Sequence, residues 1–416
     1  MSYRIAAIDI HKKVLMVVVA TAAAEVADAA GEALEFTCRR FGTGAQERQH
    51  LISWLQQQGV TEVVMESTAQ YWKSIWLELE PHFQKLHLAQ AQSNRAPHGR
   101  KDDFRDAKRL ARRLLAGELS LSYVPEPEQR LWRIMTRGKQ QLVRERGGIR
   151  NRIEALLEEM QIKLDSVISD LLGASGRRIL KAMSEGETDP HRLAELGDER
   201  LQCSPAELAD ALRGNPRPTH ISMLKLYWEH VELLDRQIAE LDRLVAQALK
   251  PYPEVVARLA EVPGFGVDSA QQLIAEVGVL ADAFPSAGEF SSWVGTCPGS
   301  NVTAEENHSS CSPKGNKFAR RILNQAANAA IKKKGSHFQN VFRRFVTKLA
   351  YQGAIWVVAH RLTRLVWLIL NKQIRFVEQG EETDPKAKLR RAQKLSRALS
   401  RLGYQVTLTP IQPAHA

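Results

Sequence analysis

Residues 5–20 read IAAIDIHKKVLMVVVA, two apolar runs on either side of the polar tripeptide His11-Lys12-Lys13. Short runs rich in Val and Ile that are joined by a tight polar turn are typical of neighbouring buried strands. The runs at 5–10 and 14–20 therefore predict the first two strands of a sheet.

Strand and helix signals alternate after this pair. Residues 61–66 (TEVVME) predict a third buried strand, and residues 84–88 favour a fourth. Helical periodicity covers residues 45–58 and 102–115. This alternation predicts an α/β sheet domain, which we place at residues 1–123.

Four carboxylates in this region form a candidate site. Asp9 lies inside the first apolar run and Glu66 ends the third, and an acid in a buried strand is costly unless it is paired or binds a metal. Asp103 and Asp106 are three residues apart and share a helix face, with lysines and arginines around them. Singly, each acid could cap a turn or form a salt bridge. Together they predict an RNase H-like nuclease core that holds Mg²⁺ or Mn²⁺ for phosphodiester chemistry.

Residues 124–250 carry helical apolar stripes. Two runs have alternating three- and four-residue spacing: Ile149, Ile153, Leu156 and Met160, and then Leu224, Tyr227, Val231, Leu234, Ile238, Leu241 and Val245. The second run covers three heptads, which predicts a coiled coil. The two helices could pair antiparallel within the chain or join another subunit, and an ordinary helix bundle is the alternative.

A third region, residues 251–377, is predicted to be mainly helical. Pro263-Gly264-Phe265-Gly266 separates two helical segments and is similar to a helix-hairpin-helix turn. The backbone N–H groups of Gly264 and Gly266 could then face a phosphate. A plain corner between two helices is the alternative.

Charge favours a nucleic-acid partner. The 416 residues carry a formal net charge of +11, and residues 307–377 contain fourteen Lys and Arg but no Asp or Glu. Such uncompensated charge is best tolerated beside a polyanion, although a solvated basic face is the alternative. A basic tail follows at residues 378–416. The predicted nucleic-acid contacts outside the glycine turn are Arg100, Lys101, Lys314, Lys317, Arg320, Arg321, Lys332, Lys333 and Lys334.

Other classes are disfavoured by composition. The first residues lack the pattern of a secretory signal, and the most apolar stretch, residues 353–370, carries charges at helical spacing that suit a half-buried helix. The four cysteines form no C-x-x-C pair, so the sequence favours neither a zinc site nor a disulfide framework. We therefore expect a reduced, cytoplasmic setting without a membrane partner.

The motifs, taken in order, resemble a known family. AIDIHK, VVMES, KDDFRDA, the heptad helix, VPGFG, GTCPGS and SPKGNKFARRILNQAANAA resemble the DEDD transposases of the insertion-sequence family one-ten over nearly the whole chain. The resemblance implies a RuvC-like domain, a C-terminal transposase domain and recombination of a circular or joined DNA element. It also implies a guide RNA encoded by the element and a tetramer of paired dimers.

The resemblance also implies residue roles. The family's DEDD acids fall on Asp9, Glu66, Asp103 and Asp106, and its C-terminal nucleophilic serine falls on Thr303 when counted from the turn at 295–299. A threonine hydroxyl can act as a nucleophile, but its methyl group crowds the attack. The possibilities are that Thr303 substitutes for the serine, that another hydroxyl takes the role, or that this copy is impaired. The other candidate hydroxyls are Ser300, Ser309, Ser310 and Ser312.

The residues together with the resemblance imply an RNA-guided DNA transposase that acts on element ends and target DNA in the bacterial cytoplasm, associated with the nucleoid. One alternative is a metal-dependent Holliday-junction nuclease of the RuvC type, which needs the acids but not the C-terminal hydroxyl. The other is a non-catalytic nucleic-acid-binding protein whose acids serve structure.

Overall fold

The computed structural model describes residues 3–22, 34–67, 69–91, 104–299, 301–303, 306–309, 312 and 314–378, with a few positions of the tail between 393 and 407. The chain divides into two compact units, Met1–Pro125 and Glu126–Ala416. Each unit is described by itself.

A mixed five-stranded sheet forms the centre of the first unit. Its strands are β1 (Tyr3–Ile10), β2 (Val14–Ala22), β3 (Glu35–Gly42), β4 (Glu62–Glu66) and β5 (Lys85–Ala89). They lie in the order β3-β2-β1-β4-β5, with β2 antiparallel to both of its neighbours, β1 and β3, and with β4 and β5 parallel to β1. This arrangement is consistent with the predicted RNase H-like domain.

Helices cover both faces of this sheet. They are α1 (Ala45–Gln57), α2 (Trp72–Leu79) and α3 (Arg105–Leu115). Leu51 of α1 and Ile75 of α2 pack with Ile8 on one face. Leu110 of α3 packs with Ala7 on the other face. Because successive strand residues point to opposite sides, the odd-numbered residues of β1 face α3.

Strand β3 has no counterpart in the sequence analysis. Its side chains at 37–40 are all exposed, so the apolar alternation that marks a half-buried strand is missing. The strand forms because its backbone pairs with β2 along eight positions, from Val14 opposite Gly42 to Thr21 opposite Glu35. Charged residues on such an edge strand also discourage pairing with other chains.

Two long helices dominate the start of the second unit, α4 (Pro127–Glu159) and, after four short helices, α9 (Pro218–Ala248). Arg146 of α4 lies 2.8 Å from Asp235 of α9, and Lys139 contacts Asp242, so the two helices run antiparallel. The intervening helices are α5 (Leu164–Val167), α6 (Ala174–Ser184), α7 (Pro190–Ala194) and α8 (Pro205–Ala211).

The heptad stripe is buried within the chain. Leu224, Val231 and Leu234 are 0–2% exposed and pack in one core with Ile149 and Ile153 of α4. Of the alternatives left open by the sequence, the structure therefore has the pairing within the chain, which leaves this stripe unavailable to another subunit. Coiled-coil packing in the strict sense stays a prediction.

The remaining elements are mostly helical. They are α10 (Pro253–Ala260), α11 (Val267–Val277), α12 (Ala287–Val294), the hairpin strands β6 (Asn301–Thr303) and β7 (Glu306–Ser309), α13 (Lys317–Ala330) and α14 (His337–Asn371). Ala350 interrupts α14 with a φ of +54°.

Helix α14 contains the apolar stretch noted in the sequence. Within the part of the chain that the structure describes, it is the one helix long and apolar enough to cross a bilayer. However, 56% of its most apolar window is buried inside the protein, as in the core helix of a globular fold. Ile355, Val358 and Leu362 are fully buried there, in agreement with the expected half-buried helix.

Candidate functional site

Asp9 lies next to the end of β1, on the face that α3 covers. Its side chain is only 15% exposed, and its Oδ2 lies 3.2 Å from Nε2 of His11, which follows the strand. The row of apolar residues before it, Ile5 and Ala7, packs under α3. Asp9 is therefore the next side chain in this buried row, and it places a carboxylate at the end of the row.

Glu66 lies beside Asp9. Strand β4 runs parallel to β1, with Ile8 beside Met65, so the next position places Asp9 beside Glu66. Neighbouring strands are about 4.8 Å apart, and residues at the same level point to the same face. Both carboxylates therefore lie on the α3 side of the sheet.

Asp106 belongs to the first turn of α3, one turn before the buried Leu110. Its Oδ1 lies 3.0 Å from Nη1 of Arg109. Burial raises the pKa of Asp9 above its ordinary value, and the negative charge of Asp106 adds to this rise, while His11 and Arg109 act against it. Asp106 thus lies close enough to Asp9 for the two carboxylates to repel each other.

The fourth predicted acid, Asp103, and the predicted contacts Arg100 and Lys101 lie outside the described residues. Among the residues that the structure does describe, no three His, Cys, Asp or Glu side chains form a group that could hold a metal ion. The donor chemistry nevertheless fits a hard divalent cation, because Asp9, Glu66 and Asp106 supply carboxylate oxygens without sulfur or neutral nitrogen ligands among them.

The predicted nucleophile lies in a small hairpin. Thr303 ends β6, and its backbone pairs with Glu306 of β7, while Asn301 pairs with Ser309. Ser300 and Ser310 lie outside the described residues.

Gly315 and Asn316, which follow this hairpin, contact the chain segment that precedes it. A Cβ atom on Gly315 would lie 2.2 Å from the carbonyl carbon of Val294, so only glycine allows the two backbones to approach. The backbone N–H of Asn316 donates to the carbonyl of Trp293 at 3.0 Å. The Asn316 side chain also accepts bonds from the N–H groups of Phe318 and Ala319 and so caps α13.

A buried carboxylate that sequence reasoning missed supports this contact. Glu276, 1% exposed, accepts two 2.8 Å bonds from Arg137 of α4 and one 2.8 Å bond from the Asn316 amide. Arg133 adds a contact to the same carboxylate at 3.5 Å. Glu276 follows an apolar helical run, and nothing in its local sequence shows that two arginines 139 and 143 positions earlier will meet it.

The glycine turn has a packing role. A Cβ atom on Gly264, whose φ is +91°, would lie 2.1 Å from the carbonyl oxygen of Ala326 in α13. The N–H of Gly266 donates to the Ser269 hydroxyl at 2.8 Å, and Asp268 in the same turn pairs with Lys139. These contacts favour the plain helix corner, and a phosphate contact at Gly264 and Gly266 stays a prediction.

The predicted basic contacts differ in their surroundings. Lys314, Lys317 and Lys332–Lys334 are exposed. Arg320 lies 4.3 Å above the ring of Trp356, and Arg321 donates to Gln272 at 2.6 Å, so both guanidinium groups also hold the fold together.

Reversing Lys332, Lys333 and Lys334 to glutamate should weaken nucleic-acid binding to all sequences alike. Each phosphate contact that is lost should reduce the slope of log affinity against log salt by about 0.9, because fewer counterions are released on binding. Titration of labelled DNA at several salt concentrations measures this slope.

A matched control separates this local effect from net charge. Lys163, Lys181 and Lys225 are exposed lysines in the helical middle of the chain, and their reversal changes net charge by the same amount. We expect the control to keep most of the parent's slope. Equal slopes for the two triple variants would mean that the 332–334 run is only a solvated surface.

Comparison with known proteins finds transposases. Residues 6–162 match the family model of DEDD transposases of IS110, described as a transposase, and residues 256–343 match the transposase model of the IS116/IS110/IS902 family. A probable family 20 transposase of Pseudomonas aeruginosa is 25% identical over 283 residues, which cover 66% of this chain and 73% of that protein. The two matched segments contain the sheet with its acids and the C-terminal hairpin, and the chain belongs to the IS110 family of transposases.

Proposed function

We propose that this protein cleaves and rejoins DNA strands as an RNA-guided transposase, with Asp9, Glu66, Asp103 and Asp106 as ligands of Mg²⁺ or Mn²⁺. The observation that supports it most is that Asp9 and Glu66 lie on the face of the sheet that α3 covers, and Asp106 belongs to the first turn of α3. Burial raises the pKa of Asp9, and the charge of Asp106 adds to this rise. Like charges gathered at a half-buried position favour a bound cation. When bound, the metal would supply charge stabilisation at the scissile phosphate.

The residues of the chain then have distinct roles. His11 and Arg109 hold the carboxylates of Asp9 and Asp106 in place. Thr303 supplies the nucleophile: its oxygen bonds to phosphorus as the phosphorus bond to the leaving strand oxygen breaks, and the hydroxyl proton passes to solvent or to the leaving oxygen. A second strand end later displaces the phosphorylated side chain and restores the hydroxyl.

The partners follow from the same proposal. Element ends and target DNA bind through backbone phosphate at the acid-free segment 307–377, and base pairing with a guide RNA encoded by the element selects the sequence. The protein works as a dimer or tetramer in the bacterial cytoplasm, near the nucleoid.

Trapping of a covalent protein–DNA adduct tests the nucleophile. Thr303→Ser should keep or raise adduct formation because a primary alcohol is less crowded, and Thr303→Val should eliminate it at nearly constant volume. A barrier change of about 1.4 kcal/mol already alters the rate tenfold. Denaturing gel electrophoresis with a labelled strand detects the adduct.

The outcomes separate the alternatives. An adduct that persists in Thr303→Val would assign the nucleophile elsewhere, and Ser300 would be replaced next. Strand cutting without any adduct in the parent would instead indicate a nuclease of the RuvC type that uses water. Binding without cutting or adduct would indicate a non-catalytic relative.

A further inference from the structure

One row of side chains crosses the first unit's sheet from the acids to its edge. Asp9 lies opposite Met16 of β2, and Met16 lies opposite Arg40 of β3. Residues that face each other in paired strands point to the same side. Arg40 therefore lies on the α3 side of the sheet, two strands from Asp9, or about 10 Å at the usual strand spacing.

Helix α3 adds positive charge on this side. The Lys108 ammonium lies 5.8 Å from the ring centroid of Phe36, and the Arg112 guanidinium lies 5.0 Å from it. Phe36 is four residues before Arg40 on β3 and thus on the same face of the strand. The flank of α3 that is turned toward β3 therefore carries cations at the level of Phe36, about 13 Å along β3 from Arg40 and on the same side of the sheet.

The neighbouring arginine provides a contrast. Arg39 points to the opposite face, where its guanidinium lies 5.0 Å from the ring centroid of Phe41 and 5.9 Å from that of Trp54. Arg40 is exposed, and its side chain forms no hydrogen bond, ion pair or ring contact with the residues that the structure describes. Two adjacent arginines thus have different surroundings, one stacked on aromatic rings and one facing solvent in the row of the acids.

A cation at the position of Arg40 would offset the repulsion between the acid site and a DNA strand. Asp9, Glu66 and Asp106 repel a polyanionic strand, so a strand can approach them only if nearby cations offset the repulsion. A guanidinium group suits this role because it stays charged and can donate two parallel hydrogen bonds to one phosphate.

We propose that Arg40 binds a backbone phosphate of the DNA strand on which the acids act, close to the scissile phosphate, while Lys108 and Arg112 add positive charge further along β3 on the same side of the sheet. The proposal rests on the proposed function, since it assigns the strand to the same site. The contact carries no sequence information, because phosphate is the same at every position. It positions the strand along the row from β3 to β1.

Arg40→Gln and Arg39→Gln form the matched pair that tests it. Binding of a labelled DNA duplex of arbitrary sequence is titrated at several salt concentrations, with chelator present so that no divalent cation contributes. Arg40→Gln should reduce the slope of log affinity against log salt by about 0.9, the value for one phosphate contact, and weaken binding about tenfold at low salt. Arg39→Gln should keep the parent's slope.

Arg40→Lys refines the result. It keeps the charge but loses the bidentate geometry, so it should restore most of the slope and only part of the affinity. A parent-like slope in Arg40→Gln, or an equal reduction in Arg39→Gln, would overturn the proposal.

Cleavage by the Asp9→Asn variant distinguishes this proposal from the proposed function. If Asp9→Asn stops cutting while Arg40→Gln keeps the parent's slope, only the Arg40 assignment fails. If Asp9→Asn cuts like the parent while Arg40→Gln loses slope, the acid site fails as a catalytic centre and Arg40 remains a phosphate contact.

Discussion

Asp9→Asn should reduce DNA strand cleavage by about two orders of magnitude or more while nucleic-acid binding persists. An amide cannot replace the negative oxygen that a divalent cation prefers, and loss of several kcal/mol of charge stabilisation in the transition state corresponds to this factor. The measurement is the single-turnover rate of cutting with Mg²⁺ or Mn²⁺ in excess.

The same substitution should leave the fold as stable as the parent, or more stable. Burial, with the charge of Asp106, raises the pKa of Asp9, so the ionised carboxylate is disfavoured in the folded state. Stability contributed by a protonated Asp9 is therefore lost as pH rises through its folded pKa. Below the ordinary value of 3.8 the group is protonated in both states and this cost is absent.

Thermal unfolding in chelator checks this sign. Asp9→Asn should unfold at a higher temperature than the parent at neutral pH, and the difference should shrink as pH falls toward 3.8. A variant that cuts normally would remove Asp9 from the site. A variant that is inactive but clearly less stable at neutral pH would indicate a structural role instead.

Glu276→Ala should lower the free energy of unfolding of the second unit by about 3–5 kcal/mol. The carboxylate is 1% exposed, and its removal takes the negative charge away from Arg137 and from the half-buried Arg133, which keeps its backbone carbonyl acceptors. It also removes the acceptor of the Asn316 Nδ2 group, in the residue whose backbone N–H holds the chain after the hairpin to Trp293. Urea unfolding followed by circular dichroism measures the loss.

Two control variants define what this loss means. Glu240→Ala removes an exposed ion pair with Arg243 and should cost only about 0–1 kcal/mol. Glu276→Gln keeps the volume and one acceptor, so its cost should lie between the two. Equal unfolding midpoints for Glu276→Ala and Glu240→Ala would show that the buried pair contributes nothing beyond a surface contact.

Local pattern was sufficient for the elements that bury a regular apolar face. The strands at 5–10 and 14–20 lie within β1 and β2, and the predicted helix at 45–58 matches α1 to within one residue. The heptad run also appeared as a buried face, since Leu224, Val231 and Leu234 are in the core. In each case the period of the hydrophobic pattern is itself the period of the element, so no distant partner is needed.

The sequence predicted which acids form the candidate site, but it did not predict how they lie relative to one another. The sequence placed Asp9 and Glu66 in strands and Asp106 on a helix, which is where the structure has them. That Asp9 and Glu66 are neighbours on one face depends on β4 pairing parallel to β1 in a particular register, and a shift of one residue would turn Glu66 to the other face.

The other features depend on contacts between residues that are far apart in the chain, so they became visible only in the folded protein. Strand β3 exists through its ladder with β2, and Gly264 is needed because α13 approaches its backbone, 62 residues later at Ala326. Glu276 meets Arg137 across 139 positions. Local sequence is enough to show which segments bury an apolar face and which residue types carry the chemistry. Long-range backbone pairing and packing set which side chains are in contact. A local pattern cannot show this, because the partners are distant in the sequence.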